Sequence, residues 1–397
     1  MEKPELLAPA GSLNKLKIAL YYGADAVYLG GKQFSLRSFA DNFTAEELKE
    51  GVSYAHAHGK KVYVCANIFA KNTDFAALED YFAQLQALDV DAVLISDPGV
   101  LRVCRKVAPR LPVHISTQAN TLNAQSAAFW REAGAERVVL ARELSLKEIA
   151  EIHAYNPDLE LEAFVHGAMC ISYSGRCYLS DYLDGRQSNR GACVQACRWK
   201  YRIQSDEGKR GEWYELEEDE KGAYIMNSKD LNMSAHLNEL REAGVRSFKI
   251  EGRMKSEYYL ATVVNAYRRI LDGADPVLLG EELECAAHRD YTTAYAFGSN
   301  ADTISPENSQ TKGTCEYIAN VLAWENGRAT VEMRNRFRAG DVLEILSPSG
   351  SFGKSVSVND LKDSTGAPCE DAKLVQGKYS FACSEPLSAG DILRRRR

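Results

Sequence analysis

Tyr22-Gly-Ala-Asp-Ala-Val-Tyr-Leu-Gly-Gly31 leaves an amphipathic segment, passes a glycine and runs into an apolar stretch. The same phrase returns at Leu88-Asp-Val-Asp-Ala-Val-Leu-Ile-Ser-Asp97, Ala133-Gly-Ala-Glu-Arg-Val-Val-Leu-Ala-Arg142 and Ala243-Gly-Val-Arg-Ser-Phe-Lys-Ile-Glu-Gly252. Each copy reads as a helix C-cap followed by a small residue and a buried strand. Working outward, strands are expected at Glu5–Ala8, Ala26–Leu29, Val62–Asn67, Ala92–Ser96, Val113–Ser116, Arg137–Ala141, Leu159–Val165 and Ser247–Glu251. The repeats fall on every second one. Strands alternating with amphipathic helices imply a parallel sheet with helical crossovers, and eight of them predict a closed (β/α)8 TIM-like barrel. Two helices open with capping boxes, Thr44…Glu47 and Ser145…Glu148. An open doubly wound sheet is the alternative, but no GxGxxG follows the first strand to make a dinucleotide crevice.

Between His166, ending strand seven, and Arg246, starting strand eight, lie about eighty residues, far more than an ordinary βα unit needs. The barrel is therefore expected over residues 1–298 with an insertion at 168–245. A polar linker at 299–314 leads to a C-terminal module at 315–397. There the pattern changes to short β runs, and Ala-Gly-Asp recurs as a strand-starting turn at Ala339–Asp341 and Ala389–Asp391. A small β-barrel is expected, a fold that often binds RNA.

The insertion holds Cys170, Cys177, Cys193 and Cys197, four of the ten cysteines. Four thiolates on a Gly-, Ser- and Tyr-rich segment suit a tetrahedral zinc ion or an iron–sulfur cluster. Zinc usually takes paired C-x2–4-C knuckles, which only Cys193/Cys197 approaches, whereas clusters tolerate irregular spacing. The plainer reading is four ordinary thiols, since free cysteine is often a small buried hydrophobe.

The chain has 397 residues, a net charge of −7, 45% hydrophobic and 26% charged residues, as in globular proteins. No run of about 18 apolar residues is present, so no membrane span is expected. The polar start, Met1-Glu2-Lys3-Pro4-Glu5, lacks the apolar region of a signal peptide. A cytoplasmic location follows as the expectation, and it turns the cysteines away from disulfides. Net acidity argues against a wholly basic nucleic-acid surface. Charge is uneven, however: Arg186, Arg190, Arg198, Lys200, Arg202, Lys209 and Arg210 cluster beside the cysteines, and the chain closes on Arg394–Arg397. Such zones suit phosphate.

Polar residues end the apolar strands: Asn67, Ser96, Ser116, Gln118, Arg142, Glu143, His166, Glu251 and Arg253. Barrel chemistry sits at these C-terminal ends, so a ligand pocket is expected there, with the insertion over it. His166 reads as a base, a ligand or a hydrogen-bonding prop. Arg253 and Glu251 read either as an anion site or as partners of Arg142 and Glu143.

Glu162-Ala-Phe-Val-His-Gly-Ala-Met-Cys-Ile-Ser-Tyr-Ser-Gly-Arg-Cys-Tyr-Leu-Ser180 resembles the signature of the collagenase-like peptidase family of unknown catalytic type. So do Leu6–Gly11, Asn189–Trp199, Ser228–Leu231 and Lys249–Lys255, which spreads the resemblance over nearly the whole chain. It implies a 4Fe-4S cluster on Cys170, Cys177, Cys193 and Cys197. Length and the C-terminal module are most similar to the branch that supports hydroxylation of the tRNA wobble uridine to 5-hydroxyuridine, with prephenate as co-substrate. On that reading His166, Glu251 and Arg253 are catalytic, and Asn67, Gln118, Arg142 and Glu143 line the substrate site. Arg190, Arg198 and Lys200 meet tRNA. The partners implied are tRNA, a small carboxylate metabolite and an electron donor, without a membrane. Some relatives carry a cysteine just after Ser-Lys-Asp-Leu, where this chain has Asn232 and Met233. That leaves Cys197 as the fourth ligand, or else a three-thiolate cluster with an open iron. A protease lacks support in HExxH or GxSxG motifs, and a non-catalytic RNA-binding accessory protein is the further alternative.

Overall fold

The computed structural model describes residues 3–36, 42–199, 227–298, 302–305 and 310–397. Eight parallel strands close on themselves. They are β1 (Glu5–Pro9), β2 (Ala26–Gly30), β3 (Lys61–Cys65), β4 (Ala92–Ile95), β5 (Val113–Ile115), β6 (Arg137–Val139) and β7 (Glu160–Ala168), then, after a short β8 (Asp230–Asn232), β9 (Val245–Ile250). Each pairs with the next, and β9 closes the ring by pairing in parallel with both β7 and β1. Every expected barrel strand is present within a few residues of its reading. β8 runs antiparallel to the end of β7, with Asn232 opposite His166, and pairs in parallel with β10 (Tyr291–Thr292).

The repeat has a backbone cause. Its second residue, Gly23, Asp89, Gly134 or Gly244, has a positive φ (106°, 57°, 94° and 101°) and reverses the chain from helix to strand. Both expected capping boxes form: Thr44 caps Ala45–Ala57 with Glu47 returning to its backbone N–H, and Ser145 with Glu148 does the same for Leu146–Tyr155.

The inside of the barrel is not purely apolar. Arg137 on β6 donates to Glu5 on β1 (2.6 Å) and Glu162 on β7 (3.1 Å). Glu162 also accepts from Lys249 Nζ on β9 (2.6 Å) and from Ser247 Oγ (3.2 Å). Tyr63 on β3 donates to Glu5 at 2.6 Å. Strands that are not neighbours thus bond across the lumen, and each buried charge finds an opposite one. His114 stacks edge-on against Tyr63 at 4.8 Å, and burial, then Arg137 and Lys249, hold it neutral.

By contacts the chain divides into two compact units. One comprises residues 1–13, 26–254 and 289–311; the other comprises 14–25, 255–288 and 312–397. The second unit therefore draws on helices Leu13–Tyr21, Glu257–Leu271 and Pro276–Leu283 besides the C-terminal strands. Those strands form a seven-stranded antiparallel sheet, in the order Ser355–Ser357, Val342–Leu346, Ile392–Arg396, Cys315–Glu325, Arg328–Met333, Lys378–Ala382 and Asn359–Lys362. With the small pair Phe337–Arg338 and Asp371–Ala372 this makes a near-barrel around Ile318, Val331, Leu343, Ile345, Phe381 and Leu393. The two Ala-Gly-Asp turns are equivalent. Asp341 accepts from Arg338 N–H and Asp391 from Ser388 N–H, both at 2.8 Å, and the strands that follow them pair.

The closing arginines are not a solvated basic tail. Arg394 is wholly buried between Glu282 and Glu344, Arg395 pairs with Asp341 and Glu316, and Arg396 pairs with Glu344. Carboxylates on neighbouring elements hold that run, which removes it from the phosphate-binding candidates.

Candidate functional site

A cavity of about 150 Å³ opens at the C-terminal ends of the barrel strands. Asn67 follows β3, Ser116 and Gln118 follow β5, Arg142 and Glu143 follow β6, and Glu251 and Arg253 follow β9; all line it. Lys249, still within β9, forms part of its lining from the strand interior. The insertion supplies the remaining wall, including Cys170, Cys177, Cys193 and Cys197. Four thiols and the polar strand ends thus share one space.

Short loops set the cysteines in place. Ser174 donates from its N–H and hydroxyl to the Glu143 carboxylate at 3.0–3.3 Å. Gly175 (φ 73°) passes so close to the Gln118 carbonyl that a Cβ would sit 2.2 Å from it. Ser188 and Asn189 both donate to the Cys177 carbonyl at 3.0 Å. Farther along, Phe69 N–H donates to the Asn189 carbonyl, and Arg190 pairs with Asp74 at 2.8 Å. The insertion is therefore tied to the β3 and β6 loops of the barrel.

The thiols sense one another. Burial pushes Cys197 up to about 11; nearby Arg198 opposes this, and Cys170, Cys193 and Cys177 add to it. Cys170 is exposed and the other three half-buried. Among the described residues no three His, Cys, Asp or Glu side chains gather tightly enough to hold a single metal ion. The donor set, four thiols and nothing harder, is that of iron–sulfur chemistry.

Beside the thiols lie polar groups that the protein leaves unsatisfied. Asn67 Oδ1, Gln118 Oε1, Arg142 Nε and Arg253 Nε are buried without a hydrogen-bond partner among the described residues. Arg253 is 4% exposed, and it donates to Ser35 Oγ (2.7 Å) and Asn42 Oδ1 (2.5 Å). It has no carboxylate partner among the described residues. Arg142 donates to the Ala168 carbonyl (2.7 Å), covers the Phe164 ring at 4.0 Å and lies 3.6 Å from Glu251. Glu251 also accepts from Tyr28 OH at 3.4 Å; burial, then that carboxylate, holds the phenol well above its usual range. Four such atoms around one cavity give a polar ligand groups to bond.

The other expected residues lie elsewhere. His166 is buried, packs its ring 5.4 Å from Tyr291 and does not line the cavity. Arg190 and Arg198 do not line it either; Arg190 is held by Asp74, and Arg198 donates to Gln195 at 2.6 Å. Lys200, Arg202, Lys209 and Arg210 fall outside the described residues. Lys249 was absent from the expected site, although a lysine inside an apolar strand, Ser-Phe-Lys-Ile, is itself a signal. Its ammonium faces Tyr28 at 4.3 Å and bonds Glu162.

Residues 11–305 match Peptidase family U32, and residues 313–394 match the Peptidase family U32 C-terminal domain. The chain is 45% identical over 359 residues to tRNA hydroxylation protein P1 of Bacillus subtilis, covering 87% of this chain and 84% of that one. It is 39% identical over 399 residues to tRNA hydroxylation protein P of Escherichia coli, covering 89% and 88%. A 23S rRNA 5-hydroxycytidine synthase of Escherichia coli is 33% identical over 389 residues, covering 98% of this chain and 52% of that protein. No helix among the described residues is long and apolar enough to cross a membrane.

Proposed function

The chain belongs to peptidase family U32, and from that premise we propose that it is an RNA-modifying enzyme that hydroxylates a tRNA uridine at a site holding an iron–sulfur cluster. The carrying observation is the shared cavity: four thiols on one wall and four unsatisfied polar groups on the others. Relatives named for tRNA hydroxylation and for making 5-hydroxycytidine in rRNA support RNA as the substrate class.

Cys170, Cys177, Cys193 and Cys197 would hold the cluster, which when bound supplies one-electron redox chemistry. The amides of Asn67 and Gln118 present both donors and acceptors and suit the edge of an unstacked pyrimidine, which must leave the stack to be modified. Arg142 and Arg253 suit the carboxylates of a small co-substrate, for which prephenate is the proposed identity. Glu251, between Arg142 and the Tyr28 hydroxyl, is the proposed proton acceptor. Wobble uridine, with 5-hydroxyuridine as product, is the proposed target.

Mass spectrometry of tRNA nucleosides tests this reading. Cells lacking the gene and any paralogue are expected to lose 5-hydroxyuridine and its derivatives. The wild-type gene restores them, and variants with serine at any of the four cysteines do not. Unchanged 5-hydroxyuridine in the deletion strain refutes the assignment. Protein purified without oxygen is expected to carry iron and sulfide; zinc alone would refute the cofactor.

A further inference from the structure

A second pair of thiols, remote in sequence from the quartet, lies within the unit that contains the C-terminal strands. Cys285 follows helix Pro276–Leu283 and Cys315 begins strand Cys315–Glu325. Their sulfurs are 2.7 Å apart, in hydrogen-bond contact, and both residues are buried. A disulfide needs about 2.05 Å, so an approach of roughly 0.7 Å suffices. Arg396 Nη1 lies 3.4 Å from Cys285 Sγ, and Thr314 Oγ1 lies 3.7 Å from it. Thr314 and Arg396 are themselves exposed, so the buried pair has residues at the surface beside it.

We propose that Cys315 and Cys285 form a dithiol/disulfide couple that reacts with small peroxides, one sulfur attacking the peroxide and the other resolving the sulfenic acid. Cys315 Sγ, Arg396 Nη1 and Thr314 Oγ1 all point at Cys285 Sγ, and the charge of Arg394 lies close enough to favour a thiolate in the pair. Burial pushes the Cys104 thiol up to about 11, and Arg105 only partly opposes it. A thiolate beside arginines, with a second thiol in contact, has what oxidation and resolution require.

The chemistry balances. One sulfur of the pair, as the thiolate, attacks one peroxide oxygen, an S–O bond forms, the O–O bond breaks, and the leaving hydroxide takes a proton to become water. The other sulfur then attacks the sulfenic acid. The S–S bond forms, the S–O bond breaks, and the second water leaves with the proton of the resolving thiol. Two thiols are oxidised by two electrons and hydrogen peroxide is reduced to two waters. The product ties the turn after Pro276–Leu283 to the first residue of the antiparallel sheet.

The test uses the full-length reduced protein, stoichiometric hydrogen peroxide and peptide mapping without reductant. Trypsin cuts between the two cysteines, at Arg289 and Lys312, so a cross-link is seen as joined peptides. The expected result is loss of the two free thiols as a Cys285–Cys315 cross-link, reversed by dithiothreitol. Cys285→Ser and Cys315→Ser are each expected to prevent the cross-link, and the variant that keeps the attacking sulfur to leave a dimedone-reactive sulfenic acid on it. Mapping resolves these peptides from those of the quartet, so oxidation there does not obscure the outcome. If both thiols stay free while Cys104, Cys369 or Cys383 oxidises, or if either of them advances to sulfonic acid uncross-linked, the proposal is overturned. The wild-type map alone decides should a serine variant fail to fold.

Discussion

Arg137 Nη1 donates to Glu5 Oε1 at 2.6 Å across the inside of the barrel, from the sixth strand to the first. Burial pushes Glu5 up, but the charge of Arg137 and hydrogen bonds from Arg137, Tyr63 and Ser247 outweigh it and hold the carboxyl below its ordinary value of 4.5. A carboxyl depressed in the folded state adds stability above its unfolded value, and that stability is lost as pH falls through the folded one. Thermal stability of the wild type is therefore expected to fall below about pH 4.5, and Glu5→Gln to flatten this acid limb. A limb of unchanged steepness in the variant would exclude Glu5 as its source.

Glu162, at the centre of the same network, is wholly buried between Arg137 and Lys249. Replacing it with Gln leaves two buried cations short of a counter-charge. A cost of about 3–5 kcal/mol is expected in urea unfolding, as for other broken buried pairs. A loss below about 1 kcal/mol would mean that Glu5 and Glu160 compensate Arg137 by themselves.

Arg253 carries a buried charge with no carboxylate beside it among the described residues, so its removal separates binding from stability. Arg253→Met is expected to weaken prephenate binding, measured by calorimetry, about 10- to 100-fold, the value of a charged hydrogen bond. The same change is expected to leave the melting temperature level or higher, since a desolvated charge is removed. Unchanged affinity would take Arg253 out of the anion site.

Gly175→Ala tests the seat of the cysteine loop without touching a thiol. The new Cβ meets the Gln118 carbonyl at 2.2 Å, and its positive φ disfavours any side chain. Iron bound per chain is expected to fall although all ten cysteines remain, at a stability cost of about 1–3 kcal/mol. Full iron occupancy in this variant would show that the loop does not set the quartet.

Asp89 holds the left-handed position that glycine holds in the other three repeats. Asp89→Gly relieves a conformation that costs a side-chain residue about 1–2 kcal/mol and loosens the unfolded chain by somewhat less. The midpoint of denaturation is expected to hold or rise slightly. A fall above about 1 kcal/mol would reveal a role for the carboxylate.

These positions also show what could be read from the chain. The repeats, their turn residues and the two capping boxes are local, and local rules located eight strands and the cysteine-bearing insertion. Asn67, Gln118, Arg142, Glu143, Glu251 and Arg253 were legible because polar residues that end apolar strands often face the barrel mouth, although His166 does not line the cavity. Lys249, Glu162 and Arg137 were not. A charge inside a strand makes sense only when its partner is known, and those partners lie on strands far apart in sequence. The same holds for Arg190, whose partner Asp74 is 116 residues away, and for Arg394, held by Glu282 from 112 residues away. His166 could be read as base or prop, and only the packing against Tyr291 and Asn232 shows its surroundings.

Closure of the ring by β9 against β1 has a consequence for synthesis. Ser247 meets Glu5 across 242 residues of chain, so the nascent polypeptide emerges with its first strand lacking one neighbour. Until residues 245–250 leave the ribosome, Glu5–Pro9 presents an open, apolar edge, and Glu162 awaits Lys249. Such long-range pairing folds slowly and leaves partly made chains prone to association. The growing protein is thus exposed to chaperones and to mispairing until β9 is made.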